Sequence, residues 1–207
     1  MRKADLLKKE LGVAAKIEDR GKRALAITAV LQKAFLSYQL YPVLVGGAAV
    51  EIYTRGLYAS GDIDYVLPTS VELKRVMKQF GFKKEGRLFI HPQFQLIIEF
   101  PSSSLEKGEN YKEMNYQGVL IRIISLEDLI IDRLNAFKWG RVSIEGQNIF
   151  LMLDQNSKGL KSLQLKAKKN DVWDALNDII MLKRKIKREK INSAQATRLL
   201  TKMILKY

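Results

Sequence analysis

The sequence contains no cysteine, a single histidine and only four prolines among its 207 residues. The missing cysteines exclude disulfide bonds, zinc–thiolate sites and thiol nucleophiles. No apolar run approaches the roughly 20 residues that span a bilayer. The charged N-terminal segment, residues 1–5, lacks the apolar core of a signal peptide. We therefore expect a cytoplasmic protein with no membrane partner.

Negative charge is also scarce towards the C-terminus. The net charge is +14, and residues 155–207 carry 14 Lys/Arg against 4 Asp/Glu. Such a basic region favours a polyanionic partner, RNA first of all. A solvated, lysine-rich helical surface of a heat-adapted protein explains the same charge equally well. The hydrophobic share of 47% is that of a globular chain, and the length allows one domain with a helical appendage.

Two short motifs stand out against this background. Gly46-Gly47 closes the apolar run 43–45, and Asp62 and Asp64 flank an isoleucine further along the chain. Residues two apart on a strand point to the same face, so the two carboxylates project together and repel each other. A divalent cation such as Mg²⁺ removes that repulsion. A glycine pair lets the backbone approach a phosphate closely, so the pattern predicts a metal–nucleotide site.

The periodicity of apolar residues predicts the order of elements. Helices are expected at 3–11, 22–39, 48–53, 69–81, 125–140 and 192–206, and another is capped by Asn170 or Asp171 and ends near 188. Strands are expected at 43–45, 63–67, 94–100 and 119–124, with a strand or hairpin arm at 82–90. Residues 142–153 are ambiguous, and 158–170 read as a polar linker. We predict an α+β fold, with a mixed-sheet head over 1–124 and a basic helical region over 125–207.

The strand predicted at 94–100 supplies a third acidic candidate. Phe94, Leu96, Ile98 and Phe100 form one face, and Glu99 lies on the other. Because the first face is apolar throughout, it is expected to be buried, which presents Glu99 on the opposite side. An exposed edge position for Glu99 is the alternative.

These motifs resemble the nucleotidyltransferase superfamily, which has the polymerase-beta-like fold. The family pattern is a Gly-Gly or Gly-Ser at a strand end, a helix, an Asp-x-Asp on the next strand and a third carboxylate on a later strand. Gly46-Gly47, Asp62-Ile63-Asp64 and Glu99 match it in order. The wider context, roughly residues 22–140, is similar to small prokaryotic nucleotidyltransferases, including the toxins of type IV toxin–antitoxin pairs.

The resemblance implies transfer of a nucleoside monophosphate from an NTP to an acceptor hydroxyl. Asp62, Asp64 and Glu99 are then the catalytic residues and the ligands of Mg²⁺ or Mn²⁺, and Gly46 and Gly47 hold phosphates. The basic tail favours RNA, such as a tRNA end, as acceptor. The alternatives are a non-catalytic nucleotide- or RNA-binding module on the same fold, and a toxin held in check by an antitoxin protein.

Further basic and polar candidates lie outside this pattern. Lys138, beside Trp139, is a candidate nucleotide contact, although a lysine lying along the surface fits the sequence as well. His91, the one histidine, precedes a proline and is assigned a structural role. A basic cluster on the 171–188 helix is a candidate nucleic-acid contact and comprises Lys183, Arg184, Lys185, Lys187 and Arg188.

Overall fold

The computed structural model describes residues 3–156 and 160–207. The chain divides into two compact units, Met1–Ser125 and Leu126–Tyr207. Among the described residues, no helix is both long enough and apolar enough to cross a bilayer.

Among its described residues, the first unit contains the seven strands of one sheet and four helices. The helices are α1 (Lys3–Ala14), α2 (Arg20–Leu36), α3 (Gly46–Tyr53) and α4 (Val71–Gln79). The strands are β1 (Val43–Val45), β2 (Ile63–Val66), β3 (Lys83–Glu85), β4 (Leu88–His91), β5 (Leu96–Glu99), β6 (Tyr111–Tyr116) and β7 (Val119–Ile124).

The sheet is mixed, with strand order β3-β4-β5-β2-β1-β7-β6. β1 runs antiparallel to β2, which places Val45 opposite Asp64. β2 runs parallel to β5, which places Asp64 beside Glu99. The predicted α+β class with a mixed sheet is therefore confirmed, and the pairing brings two distant acidic residues to neighbouring positions.

An aromatic group joins α2 to the sheet. Phe35 on α2 meets the ring of Tyr65 on β2 edge to face, with ring centroids 5.5 Å apart. Phe100, directly after β5, stacks on Tyr65 with centroids 6.2 Å apart. Phe35 and Tyr65 are both fully buried. Burying such large side chains contributes strongly to stability, and it fixes β2 and β5 beneath α2.

Strand β6 was not predicted from the sequence. It is mostly exposed and polar, so the segment lacks the apolar alternation that predicts strands. The strand forms because it pairs antiparallel with β7 across the two-residue turn Gln117-Gly118. Both turn residues have positive φ. Such turns match the twist of a hairpin. The salt bridge between Arg122 and Glu113, at 3.2 Å, joins the two strands.

Every regular element described in the second unit is a helix. Its helices are α5 (Leu126–Lys138), α6 (Ser143–Gln155), α7 (Leu160–Lys169), α8 (Trp173–Glu189) and α9 (Ser193–Met203), followed by a short 3₁₀ helix (Ile204–Lys206). The ambiguous segment 142–153 thus forms most of a helix. The predicted C-terminal helical region is confirmed.

The polar linker predicted at 158–170 is wrong from residue 160 onwards, and residues 158 and 159 lie outside the described residues. Residues 160–169 form helix α7. The sequence is dominated by lysines, but Leu163 and Ala167, one turn apart, are buried on one face. Lys166 also forms an ion pair with the buried carboxylate of Asp128. The tertiary contacts of one narrow apolar stripe therefore stabilise this helix despite its polar composition.

Helix α8 also starts differently from the prediction. Asn170 and Asp171 do not cap it, because the N-cap position is Val172, which makes no side-chain capping bond. Asp171 instead adopts a positive φ of 55°. Asp174 lies in the first turn, where its negative charge suits the helix dipole.

Candidate active site

Three carboxylates from two strands of the first unit converge at one point. One oxygen each from Asp62, Asp64 and Glu99 can be chosen so that all three lie within 4.8 Å of one another. Asp64 and Glu99 are register partners on the parallel strands β2 and β5, and Asp62 directly precedes β2. All three residues are partly buried. The structure therefore brings together the three acidic residues that the sequence singled out.

The glycine pair lies on the β1 side of this cluster. Gly46 has a φ of +64°, and a Cβ placed on it would overlap the carboxylate of Asp64. A Cβ on Gly47 would overlap the hydroxyl of Ser60. Position 46 therefore favours glycine for its backbone conformation as well as for space, whereas a side chain at position 47 would displace the Ser60 hydroxyl.

Helix α3 begins at this glycine pair. Its N-cap residue, Val45, provides no side-chain hydrogen bond to the first turn. The first-turn N–H groups of a helix have no intrahelical acceptor, and they carry the positive end of the helix dipole. An anion such as a phosphate is the natural ligand of such a helix start.

A hydrogen-bond chain ties the loop before β2 to helix α3. The buried carboxylate of Glu51, on α3, accepts a bond from the Ser60 backbone N–H at 3.0 Å. The Ser60 hydroxyl donates to the Asp62 carbonyl at 2.8 Å and also lies 3.3 Å from its carboxylate. The helix that carries the glycines thus also positions the first acidic residue.

A cavity of about 310 Å³ opens beside Asp62. Small-molecule sites start at about 300 Å³, so its size suits one small group. Its lining is mixed, with the charged residues Arg23, Glu51 and Asp62 alongside apolar ones such as Ile27 and Phe94. The acidic cluster therefore has room for a substrate group on its Asp62 side.

Arg87 contacts the cluster from the β4 side. Its Nε lies 3.0 Å from Oε1 of Glu99. Arg87 occupies the turn of the β3–β4 hairpin, and the next residue, Leu88, is the register partner of Glu99. Sequence reasoning missed Arg87, Glu51 and Ser60. Only the proximity of Ser60 to Asp62 offered a local signal, because the other two contacts depend on strand and helix packing.

The predicted basic candidates all lie in the second unit. The Lys138 ammonium is buried, donates to the Asp171 carbonyl at 2.7 Å and pairs with Asp174 at 2.9 Å. These bonds give Lys138 a role inside its own unit, and a contact with nucleotide stays a prediction.

The five cluster residues on α8 differ in their surroundings. Lys183 donates to the Leu153 carbonyl at 2.7 Å and pairs with Asp154 at 3.0 Å, so it fastens α8 to α6. The remaining four are exposed and comprise Arg184, Lys185, Lys187 and Arg188. Two of them contact Glu189, at 4.0 Å from Lys185 and 2.7 Å from Arg188. Exposed pairs of this kind contribute little to stability and leave the charges accessible.

The acidic cluster suits a hard divalent cation. Its donors are all carboxylate oxygens, the ligands that Mg²⁺ and Mn²⁺ prefer. Three partly buried carboxylates at this spacing repel one another, and a bound cation offsets that repulsion. Asp62, Asp64 and Glu99 could therefore hold such an ion.

The sequence matches no protein-family profile and no curated protein. The structure resembles an antigenic nucleotidyltransferase-like protein from Paracoccidioides brasiliensis at 15% identity and a TM-score of 0.53, over 74% of this chain and 92% of that one. Antibiotic-resistance factor ANT(2'')-Ia aligns at 17% identity and a TM-score of 0.48, over 73% of this chain and 94% of that one. JHP933 from Helicobacter pylori aligns at 14% identity and a TM-score of 0.34, over 100% and 95%.

The first of these likenesses decides the fold. It has a TM-score above 0.5 and covers most of both chains. The predicted resemblance is confirmed at the level of the fold, whereas a similarity to toxin–antitoxin components is not shown. The chain therefore has a nucleotidyltransferase-like fold.

Proposed function

We propose that this protein is a metal-dependent nucleotidyltransferase that moves a nucleoside monophosphate from an NTP to an acceptor hydroxyl. The observation that carries the proposal is the convergence of Asp62, Asp64 and Glu99 within 4.8 Å, beside the helix that starts at Gly46. An acidic cluster next to an anion-binding helix start is what a metal–triphosphate substrate requires.

The three carboxylates take the role of cation ligands in this proposal. Mg²⁺, or Mn²⁺ in its place, would neutralise charge that develops on the phosphates and orient them for attack. Glu99 and Asp64 are held at fixed spacing by the β2–β5 ladder, and Asp62 is held by Ser60. Because the ligands are positioned by backbone structure, little reorganisation is needed before the reaction.

Gly46 and Gly47 are proposed to hold the β and γ phosphates. The first-turn N–H groups of α3 have no intrahelical acceptor and no side-chain cap, and they would donate to the phosphate oxygens. Phosphates bound there lie on the β1 side of the carboxylates, which leaves the α-phosphate next to Asp64 and Glu99.

The proposed chemistry balances without a further reactant. The acceptor oxygen forms a bond to the α-phosphorus, and the bond from that phosphorus to the oxygen bridging to the β-phosphate breaks. Pyrophosphate leaves with the bonding electrons. The proton of the acceptor hydroxyl passes to a carboxylate oxygen of Glu99, which acts as general base. The rate depends mainly on positioning and charge neutralisation, so few side chains are required.

RNA is the proposed acceptor. The support is the excess of positive charge in residues 155–207, 14 Lys/Arg against 4 Asp/Glu, and the exposure of four basic residues along the C-terminal half of α8. Lysine and arginine side chains bind the phosphate backbone irrespective of sequence. The toxin role and its antitoxin partner stay predictions from the sequence resemblance.

The non-catalytic alternative is less well supported. A binding module has no need of a third carboxylate in the cluster, and Glu99 facing elsewhere would favour it. Glu99 instead shares the cluster with Asp62 and Asp64. This arrangement favours a transferase over a protein that only binds nucleotide or RNA.

A transfer assay tests the proposal. Purified protein is incubated with each α-labelled NTP in turn, Mg²⁺ or Mn²⁺ and total RNA, and label on RNA is measured. We expect transfer by the wild type and a loss of at least about a hundredfold in Glu99→Gln and in the double variant Asp62→Asn, Asp64→Asn. Glu85→Gln, an exposed glutamate on β3, is the matched control and should keep full activity. Absence of transfer to RNA, protein and small hydroxyl compounds by folded wild type would refute a transferase.

A further inference from the structure

Arg87 places a positive charge against the acidic cluster. Its Nε lies 3.0 Å from Glu99 Oε1, yet the arginine side chain is 84% exposed while that of Glu99 is only 14% exposed. Because the guanidinium is largely solvated, water screens its attraction to Glu99, and it can leave Glu99 at little cost. Glu99, in contrast, is held on β5.

The ion pair with Arg87 competes with the role proposed for Glu99 as a ligand of the cation. A cation at the cluster needs an oxygen of Glu99 as a ligand, and it repels the guanidinium nearby. A bound cation would therefore weaken the ion pair and favour release of Arg87. The released side chain remains tethered at the turn of the β3–β4 hairpin, with Leu88 as the register partner of Glu99.

The order of strands decides which phosphate of the NTP Arg87 can contact. Across β1, β2, β5 and β4 the register partners are in turn Val45, Asp64, Glu99 and Leu88. Gly46 directly follows the first of these residues, and Arg87 directly precedes the last. The glycines and Arg87 thus flank the carboxylates on opposite sides. Phosphates held at Gly46 are remote from Arg87, whereas a phosphate at the carboxylates lies between the two. A guanidinium presents donors in a fork that matches phosphate oxygens.

We infer that Arg87 is a substrate-binding residue that exchanges Glu99 for the α-phosphate of the NTP when the cluster takes up its cation. The inference rests on the proposed function and adds to it a residue with two opposed effects. In the absence of nucleotide, Arg87 competes with the cation for Glu99. In its presence, Arg87 holds the phosphoryl group that is to be transferred.

Binding measurements on Arg87→Ala test both effects without turnover. Mn²⁺ alone is titrated by calorimetry or electron paramagnetic resonance. At saturating Mn²⁺, the α,β-methylene analogue of each NTP is then compared with inorganic pyrophosphate, which lacks the α-phosphate. Lys83→Ala, an exposed lysine on β3 of the same hairpin, removes the same charge and serves as the control. Arg87→Lys keeps the charge but loses the fork.

The expected changes have opposite signs. Arg87→Ala should bind Mn²⁺ about two- to fivefold more tightly, since the competing ion pair is gone. It should bind the NTP analogue about tenfold more weakly, because a charge-assisted bond is lost. Pyrophosphate affinity should change less than about twofold. Arg87→Lys should recover part of the analogue affinity, and Lys83→Ala should match the wild type.

Other outcomes separate the two proposals. Wild-type affinity of Arg87→Ala for both Mn²⁺ and the analogue would overturn the role of Arg87 and leave the proposed function standing. An equal loss for analogue and pyrophosphate would overturn the assignment to the α-phosphate. A wild-type protein that binds neither Mn²⁺ nor any analogue would overturn both.

Discussion

Glu51 and Ser60 form the hydrogen bond that fixes the first acidic residue of the cluster. The Ser60 N–H donates to the buried Glu51 carboxylate at 3.0 Å, and the Ser60 hydroxyl in turn donates to Asp62 at 2.8 Å. In these hydrogen bonds Glu51 contacts only Ser60, and Ser60 contacts Asp62. It is a positioning residue for Asp62.

Replacing Glu51 tests this relationship. Glu51→Ala removes the acceptor for a partly buried N–H, which costs about 1–3 kcal/mol of stability and frees the loop that carries Asp62. Glu51→Gln keeps an acceptor oxygen in the same place. We expect Mn²⁺ affinity to fall in the alanine variant and to be largely retained in the glutamine variant, both measured well below their melting temperatures. Equal Mn²⁺ affinity in the two variants would show that Glu51 does not position Asp62.

Gly46 should tolerate no side chain. Gly46→Ala adds a Cβ to a residue with φ of +64° and drives it into the Asp64 carboxylate. The backbone strain alone costs about 1–3 kcal/mol, and displacement of Asp64 should weaken metal binding as well. Denaturant unfolding and Mn²⁺ titration measure the two effects.

Gly61→Ala is the control for that variant. A Cβ on Gly61 meets nothing within 4 Å, although the residue directly precedes Asp62. We expect its stability to stay within about 0.5 kcal/mol of the wild type. Similar losses in both glycine variants would mean that loop flexibility, and not the overlap with Asp64, sets the requirement at Gly46.

The stability of the first unit should depend on the neutral form of His91. Burial lowers the pKa of this histidine, with the positive charge of Lys8 adding to the effect. Its ring stacks on Phe94 at 4.4 Å and meets Phe82 edge to face at 5.1 Å. Because the unfolded chain takes up the proton first, below a pH of about 6.5, the stability from neutral His91 is present above that pH. It is lost as the pH falls through the lowered folded pKa.

Urea unfolding between pH 7.5 and 5 measures this dependence. We expect the wild type to lose stability over this range relative to His91→Phe, which keeps an aromatic ring but has no titrating group. The carboxylates titrate in both proteins, so their contribution cancels when the two free energies of unfolding are subtracted. A wild type that gains stability relative to the variant as the pH falls would contradict the assigned direction of the pKa shift.

The exposed basic residues of α8 should bind RNA through its phosphates. Replacing the four exposed residues with glutamine should lower RNA affinity and flatten its dependence on salt concentration, since fewer counterions are released. The replaced residues are Arg184, Lys185, Lys187 and Arg188. A control that neutralises four exposed basic residues of the first unit, Lys74, Arg75, Lys78 and Lys83, should change both quantities less. Lys183 is left intact because it fastens α8 to α6.

Unchanged RNA binding in the α8 variant would favour the alternative explanation of this charge, which is a solvated helical surface without an RNA partner. An equal loss in the control variant would mean that RNA binds by overall charge and not at α8. Either result would still leave the acidic cluster of the first unit available for a different acceptor.

Much of the first unit could be predicted because its signals are local. The apolar run at β1, the glycines after it and the Asp-x-Asp of β2 follow one another within one short stretch. Glu99 could be assigned a face because the alternate positions Leu96, Ile98 and Phe100 are all apolar and lie on the other face. Strand β6 and helix α7 could not be predicted, since β6 depends on pairing with β7 and α7 on two buried residues, Leu163 and Ala167.

The sequence by itself determined the chemistry available to this protein: oxygen ligands without thiols, a helix start free of side chains and a basic C-terminal region. Only the tertiary structure decided which residues meet. Pairing of β2 with β5 sets Asp64 beside Glu99, the β3–β4 hairpin brings Arg87 to Glu99, and α3 carries Glu51 to Ser60. The physical reason is that side-chain types are local properties, whereas their distances depend on strand order and helix packing between segments far apart in the chain.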